Sequence, residues 1–284
     1  MYLCITSKAK IMAQTILHTA DSRDKSDHGW LKSFHTFSFG GNYNPERIQF
    51  GALRVLNDDW VSGGMGFGEH PHDNMEIISI PLSGALQHED SMNNVAVIEA
   101  GEIQVMSAGT GIYHKEFNKN QGEPAQFLQI WLFPNQRNVI PRYQQKKYAD
   151  NLKPNQFNEI LSPNEQENGV WIYQNAWFNI GKFDTAQSID YKLKNKANGL
   201  YVFMIKGSAI VAEQAHDITE KALDNFGQES QISEQQFENS DLKPENTGQK
   251  LNERDGFGVW EADEIKIHAA QGSEILLMEV PMNY

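Results

Sequence analysis

The sequence predicts an all-β protein that consists of two tandem β-barrels with only short helices. Short runs rich in branched and aromatic residues recur along the chain, and Gly, Asn, Asp or Pro bounds most of them. Regular spacing of such runs is typical of a sandwich or a barrel. The runs stop in a polar stretch that carries several prolines after residue 133 and then resume, which indicates a second β-domain of similar plan.

The strand-like runs form two groups on either side of that polar stretch. The first group lies at 51–56, 75–80, 95–98, 103–106 and 127–133, and the second at 169–173, 199–205, 208–212, 257–260 and 274–280. We therefore predict a first domain over residues 13–134 and a second over 166–284. The connection at 135–165 is expected to hold one short helix around 143–152. An acidic stretch at about 213–253 is predicted to be a loop inserted in the second barrel.

Composition excludes several classes of protein. The 284 residues carry a net charge of −13, which disfavours direct binding of nucleic acid. Cys4 is the single cysteine, so neither an internal disulfide nor a cysteine metal site is expected. No run approaches the ~20 apolar residues of a membrane helix. Lys8 and Lys10 interrupt the first apolar stretch, so we expect no signal peptide and a cytoplasmic location. Met12 is an alternative start, which would make residues 1–11 an extension.

Two motifs with the same spacing carry the chemistry. His70 and His72 flank Pro71, and side chains two residues apart in a strand point to the same face. Because proline has no N–H, the pair is expected at the start of a strand or on an edge strand. His114 and Glu116 form a second pair two residues apart. If neighbouring strands carry the two pairs, all four side chains converge inside one barrel.

Three imidazoles and a carboxylate form a mixed nitrogen and oxygen ligand set. Such a set suits Fe(II), Mn(II), Ni(II), Cu(II) or Zn(II) better than Ca²⁺ or Mg²⁺, and the ligand types alone do not choose among these ions. His70 and His72 taken alone also fit a pair of surface histidines. The second pair, about forty residues further on, favours the metal site.

The same motifs resemble the pirin family of the cupin superfamily. The resemblance rests on His70-Pro71-His72 with Glu76 and on the run at 106–116, together with the segments 27–31, 33–39, 52–59 and 129–132. It covers roughly residues 18–212 and resumes near Arg254. Ser107-Ala108-Gly109 stands where general cupins have Pro-x-Gly, a departure that pirins share. The resemblance implies two tandem cupin barrels of the jelly-roll type.

The resemblance also implies a ligand set for a single metal ion in the first barrel, namely His70, His72, His114 and Glu116. Fe(II) is the expected ion, with Zn, Mn, Ni, Cu and Co as alternatives. Glu76 is the rival of Glu116, because the general cupin motif ends in a glutamate at this position. His216 and His268 have no histidine or carboxylate two residues away. The second barrel is therefore expected to hold no metal.

Three lines of function follow from the resemblance. Bacterial pirins are associated with quercetin 2,3-dioxygenase activity, animal members with metal-dependent binding to transcription regulators, and other members with binding to metabolic enzymes. We expect the dioxygenase, which would open a small aromatic substrate such as a flavonol with O₂ while Glu116 accepts a proton. The alternative is an iron-dependent redox sensor that regulates a protein partner. A third class is an isomerase or storage protein of the cupin type without redox chemistry.

Other histidines carry weaker signals. His28 and His35 have no metal spacing between them and are expected to orient the N-terminal segment, with contact to the metal site as the lesser alternative. His88-Glu89-Asp90 fits either a network behind the metal or a solvated turn, and we favour the turn.

Overall fold

A computed structural model of the chain describes residues 13–213 and 248–284. The predictions for residues 1–11, for His216 and for most of the stretch at 213–253 lie outside these ranges. Within them, no helix has the length and apolar character needed to cross a bilayer. Two short 3-10 helices, Ala20–Ser22 and Ala149–Asn151, accompany a structure that is otherwise built from strands. The predicted all-β class is therefore confirmed.

The strands alternate with short turns throughout the described ranges. In chain order they are β1 (Gln14–His18), β2 (Asp24–Asp27), β3 (Leu31–His35), β4 (Leu53–Val61), β5 (Gly66–His72), β6 (Glu76–Ser83), β7 (Ala85–Asp90), β8 (Val95–Glu99), β9 (Glu102–Ser107), β10 (Ile112–Asn118), β11 (Ala125–Leu132), β12 (Arg142–Lys147), β13 (Phe157–Ser162), β14 (Val170–Trp171), β15 (Trp177–Phe183), β16 (Gln187–Lys192), β17 (Asn198–Lys206), β18 (Ala209–Glu213), β19 (Gln249–Leu251), β20 (Gly256–Trp260), β21 (Glu264–Ala269) and β22 (Ser273–Pro281).

Each half of the molecule pairs a large sheet with a small one. In the first half, a seven-stranded sheet has the order β12-β9-β6-β11-β4-β3-β2 and a four-stranded sheet the order β5-β10-β7-β8. The second half repeats the plan with β1-β20-β17-β22-β15-β13-β14 and β16-β21-β18-β19. Apolar residues from both sheets pack together inside each half. This is the two-barrel arrangement that the sequence predicts.

The two large sheets share one hydrophobic core between the halves. Leu56 and Ile130 of the first half belong to the same buried cluster as Ile180, Tyr201 and Phe203 of the second. Burial of apolar area contributes roughly 25 cal/mol per Å², so a shared core of this kind stabilises the docking of the barrels. The large sheet of the first half therefore has one face on this common core and the other toward its own small sheet.

Two strands lie where the sequence pattern does not place them. Gln14–His18, at the start of the predicted first domain, pairs antiparallel with β20 in the large sheet of the second half. The prediction of a helix around 143–152 is wrong over its first part, because Arg142–Lys147 forms β12 and pairs with β9. β12 is a polar edge strand, and its sequence lacks the apolar alternation that identifies a half-buried strand.

Candidate metal centre

The first histidine pair lies on an edge strand. β5 is at the end of the four-stranded sheet and pairs only with β10 there, and Pro71 stands opposite Tyr113. This is the edge position expected from the missing N–H of proline. The rings of His70 and His72 lie on the same face, with centroids 4.8 Å apart.

The adjacent strand β10 completes a cluster of three imidazoles. His114 pairs directly with His70 across the two strands. The Nε2 atoms of these two residues are 3.0 Å apart, and the ring centroids of His72 and His114 are 4.9 Å apart. One ring nitrogen from each of the three histidines lies within 4.8 Å of the others. Neighbouring strands thus bring these three predicted ligands together.

Ring nitrogens of the three imidazoles face one another. Nδ1 of His70 donates a hydrogen bond of 2.8 Å to the carbonyl of Gly68, which leaves Nε2 as the acceptor that faces His114. Burial and the neighbouring histidines lower the pKa of His72 to about 4 and that of His114 to about 3. Nε2 of His72 is buried without a hydrogen-bond partner in the described part of the chain.

These observations fit a first-row divalent cation. Neutral imidazoles with converging lone pairs are the form in which histidine binds such ions. Two nitrogens that bind one cation at ~2.1 Å in adjacent positions are ~3 Å apart. The 3.0 Å between Nε2 of His70 and Nε2 of His114 matches that separation.

Glu116 is buried beside His114, with both of its carboxylate oxygens hydrogen-bonded. Oε1 accepts a bond of 3.0 Å from Oγ of Ser79, and Oε2 accepts one of 2.9 Å from Nε2 of Gln129. A carboxylate oxygen of Glu116 lies within 4.8 Å of ring nitrogens of His88 and His114. His114 is thus common to two close groups, one with His70 and His72 and the other with His88 and Glu116.

His88 belongs to the site, so the solvated turn expected at residues 88–90 is wrong. His88 is fully buried on β7 and stands opposite Glu116 in the register of β10. Its Nδ1 lies 3.5 Å from Nδ1 of His114, and its Nε2 lies 3.1 Å from Oδ2 of Asp90. The signal in the sequence is the alternation within β7, which places residues 88 and 90 on one face.

Glu76 lies on the opposite side of the large sheet from Glu116. It is buried where the two halves meet, and its Oε2 accepts hydrogen bonds from Oγ of Ser107 at 2.7 Å and from the backbone N–H of Tyr173 at 3.3 Å. Ser79, three residues further along β6, faces the barrel interior and bonds to Glu116. An odd offset along a strand reverses the face, which accounts for the separation of the two glutamates.

The Glu76→Gln substitution is expected to reduce the pH dependence of stability. Burial raises the pKa of Glu76 from 4.5 to about 7, so the folded protein holds this proton more tightly than the unfolded chain does. Its stabilising effect is complete below pH 4.5 and is lost as the pH rises to about 7. Urea unfolding across this range should show the free energy of unfolding of the wild type falling by roughly 3 kcal/mol relative to the variant. If the free energies of unfolding of wild type and variant changed in parallel with pH, the raised pKa of Glu76 would be contradicted.

A cavity of about 480 Å³ adjoins the histidine cluster. This volume is in the range of small-molecule sites. Its apolar lining is Leu31, Phe39, Phe67, Ile77 and Trp131, and its polar lining includes His28, Ser33, His35, Asn57, Asp59, His70, His72, His114, Glu116 and Gln129. No lysine or arginine is among these lining residues. His28 and His35 thus contribute to the wall, which is the lesser of the two alternatives that the sequence left open for them.

Fold and cavity together define a two-barrel protein of the cupin class. Residues 17–132 match the Pirin family model, and residues 159–223 and 244–280 match that of the quercetinase C-terminal cupin domain. The chain belongs to the pirin family. The resemblance read from the two histidine motifs is confirmed.

Several relatives cover nearly the whole chain. A protein named quercetin 2,3-dioxygenase from Escherichia coli (strain K12) is 33% identical over 266 residues, which are 93% of this chain and 98% of the relative. The crystal structure of the bacterial pirin YhhW from Escherichia coli in complex with nickel(II) superposes with a TM-score of 0.77 at 30% identity, over 94% of this chain and 99% of that one. A quercetin 2,3-dioxygenase from Acinetobacter baumannii shares the fold, with a TM-score of 0.65 at 16% identity over 95% of this chain and 79% of that one.

Proposed function

We propose that this chain is a metal-dependent dioxygenase that opens the ring of a flavonol such as quercetin. The observation that carries the proposal is the cluster of three converging imidazoles at the wall of a cavity with aromatic lining. The name of the 33% identical relative from Escherichia coli supports the reaction class. Both atoms of O₂ would enter the product, and one ring carbon would leave as carbon monoxide.

His70, His72, His114 and Glu116 are the proposed ligands of one divalent transition metal. When bound, the metal supplies a Lewis acid that polarises a substrate oxygen and a centre where substrate and O₂ meet. Iron(II) is the ion that the sequence resemblance favours, and a solved relative binds nickel(II). A ligand set of histidine and carboxylate suits both ions.

Glu116 is the proposed base of the reaction. Ser79 and Gln129 each donate a hydrogen bond to one of its oxygens, which fixes the plane of the carboxylate. It would accept the proton of the flavonol hydroxyl, since general bases act over one hydrogen bond. Phe39, Phe67 and Trp131 would bind the flat aromatic rings and exclude water around them.

The test begins with elemental analysis of the purified protein as isolated. Anaerobic reconstitution with Fe(II), Ni(II), Mn(II), Co(II), Cu(II) or Zn(II) is then followed by O₂ uptake and carbon monoxide release with quercetin. Turnover with at least one redox-active ion is expected. The dioxygenase proposal fails if no ion supports turnover. A protein partner whose affinity depends on the oxidation state of iron would then support the sensor alternative.

We also retain the cytoplasmic location, which the single cysteine supports.

The His88→Ala substitution is expected to weaken metal binding by about 10–100-fold, because partners that orient a ligating histidine have effects of this size. His88 contacts Nδ1 of His114 and is itself bonded to Asp90. Competition against a chelating indicator measures the affinity. His268→Ala, a change to a buried histidine of the second barrel, is the matched control and should leave the affinity unchanged. Equal affinities in His88→Ala and wild type would show that His88 does not support the site.

A further inference from the structure

A row of polar side chains crosses the large sheet of the first barrel. In the strand registers Gln104 stands opposite Ser79, Ser79 opposite Gln129, Gln129 opposite Asn57, and Asn57 opposite His35. Residues directly opposite each other in antiparallel strands project from the same face. All five are buried. Such a polar row inside a barrel has to be hydrogen-bonded, because unpaired buried groups are costly.

The middle of the row is paired, whereas both of its ends carry unpaired atoms. At the end away from the cavity, Oε1 and Nε2 of Gln104 are buried with no partner in the described residues. Ser79 and Gln129 bond to Glu116. Asn57 lies on β4, next to Gln129, and His35 lies on β3, one strand beyond. Oδ1 of Asn57 and Nδ1 of His35 are buried with no hydrogen-bond partner in the ranges that the structure describes. Both residues line the cavity that also contains the histidine cluster. An unpaired buried polar atom of this kind is destabilising unless something in the cavity binds it.

The surroundings limit what could bind there. The cavity lining holds no lysine or arginine, and it contains the carboxyl groups of Asp59 and Glu116. At the end of the cavity away from the proposed metal, an anionic group would therefore find no countercharge. The side chain of Asp59 accepts a hydrogen bond from Ser33. An amide and an imidazole offer donors and acceptors that suit a neutral hydroxyl group, and the aromatic part of the lining suits a flat ring.

The distances along the sheet limit the size of the ligand. Neighbouring strands are ~4.8 Å apart, so Asn57 lies roughly 5 Å and His35 roughly 10 Å along the row from Gln129, the partner of Glu116. A molecule that reaches from Glu116 to both residues therefore needs two linked rings rather than one.

We propose that Asn57 and His35 form a subsite for a ring hydroxyl of a polyphenol whose other end meets the histidine cluster. The inference rests on the proposed function and names its substrate class. The substrates favoured would be flavonols with a hydroxyl on the pendant phenyl ring. Flavonols with an unsubstituted phenyl ring would leave the two polar groups unpaired.

The experiment compares two 3-hydroxyflavones that differ only in the hydroxyl groups of the phenyl ring. The metal-loaded protein is assayed for kcat/KM, and binding of both compounds to the same protein is measured by titration calorimetry under anaerobic conditions. Wild type should prefer the hydroxylated compound by about 10-fold or more. Asn57→Leu, which removes the amide at similar volume, should reduce this ratio to near one, and His35→Phe provides a second variant. Gln104→Leu is the matched control, because Gln104 is a buried member of the same row that does not line the cavity.

The outcomes separate the two proposals. Equal kcat/KM and affinity for both compounds in wild type would overturn the subsite while leaving the dioxygenase intact. A preference that survives in Asn57→Leu and His35→Phe would also overturn it and would indicate that another group binds the hydroxyl. If neither compound is turned over, the dioxygenase proposal fails. The ratio of the binding constants of the two compounds then decides for or against the subsite. Binding of neither compound overturns both. Thermal unfolding of each variant checks that it is folded.

Discussion

Replacement of His114 by alanine is expected to remove the metal and abolish flavonol turnover together. His114 is the histidine common to both close groups, since its Nε2 faces His70 at 3.0 Å and its Nδ1 faces His88 at 3.5 Å. The remaining pair, His70 and His72, lies on an edge strand. Loss of a residue that only orients a ligating histidine lowers metal affinity by about 10–100-fold. Loss of the ligand itself should therefore lower metal affinity by more than ~100-fold.

Metal content per chain, measured on protein purified as isolated and after reconstitution, checks this expectation. His268→Ala should retain the metal content of the wild type, which controls for the general effect of deleting a buried imidazole. Thermal unfolding separates loss of metal from loss of fold, because deletion of a buried side chain also leaves a cavity. Full metal content in a folded His114→Ala variant would exclude the proposed ligand set.

The local part of the site was predictable because strand alternation is a local property. Spacing of two residues predicted that His70 lies beside His72. The missing N–H of Pro71 predicted the start of a strand or an edge strand, and the pair lies on the edge strand β5, at its end and not at its start. The family motif pointed to Glu116 rather than Glu76, and the structure places Glu76 at the boundary between the halves. The inferences about His70, His72 and Pro71 need only the chain within a few residues and the rule that side chains alternate, whereas the choice of Glu116 came from the family resemblance.

The remaining features depend on pairings between distant parts of the chain. β1 pairs with β20 over more than 200 residues of sequence, and no local pattern in Gln14–His18 names that partner. His88 is buried because its face of β7 packs against the rings of His114 and Tyr143, which lie far away in the sequence. Its sequence neighbours Glu89 and Asp90 alone are typical of a solvated turn. Asn57 and His35 become one subsite only through the register of β3 and β4. From the sequence alone, polar residues such as Asn57 and His35 would be assigned to the surface, whereas in the structure they line the cavity.

The Glu116→Gln substitution is expected to lower turnover by roughly 10²–10⁴-fold, the range for removal of a general base. The change keeps the shape of the side chain. Gln129 can still donate to the new amide oxygen, and the hydroxyl of Ser79, which now donates to Oε1, can instead accept from the new NH₂ group. The variant should therefore fold, and its defect should be chemical.

Glu76→Gln is the matched control, because it removes a buried carboxylate from the face of the large sheet that points away from Glu116. It should keep both metal and turnover. Metal content of Glu116→Gln then separates the two roles proposed for Glu116. Low metal with low turnover identifies a ligand, whereas normal metal with low turnover identifies a base that does not hold the ion. Loss of metal in Glu76→Gln but not in Glu116→Gln would reverse the assignment. It would require the carboxylate at the boundary between the halves to reach the cavity, and the alternation of β6 forbids this.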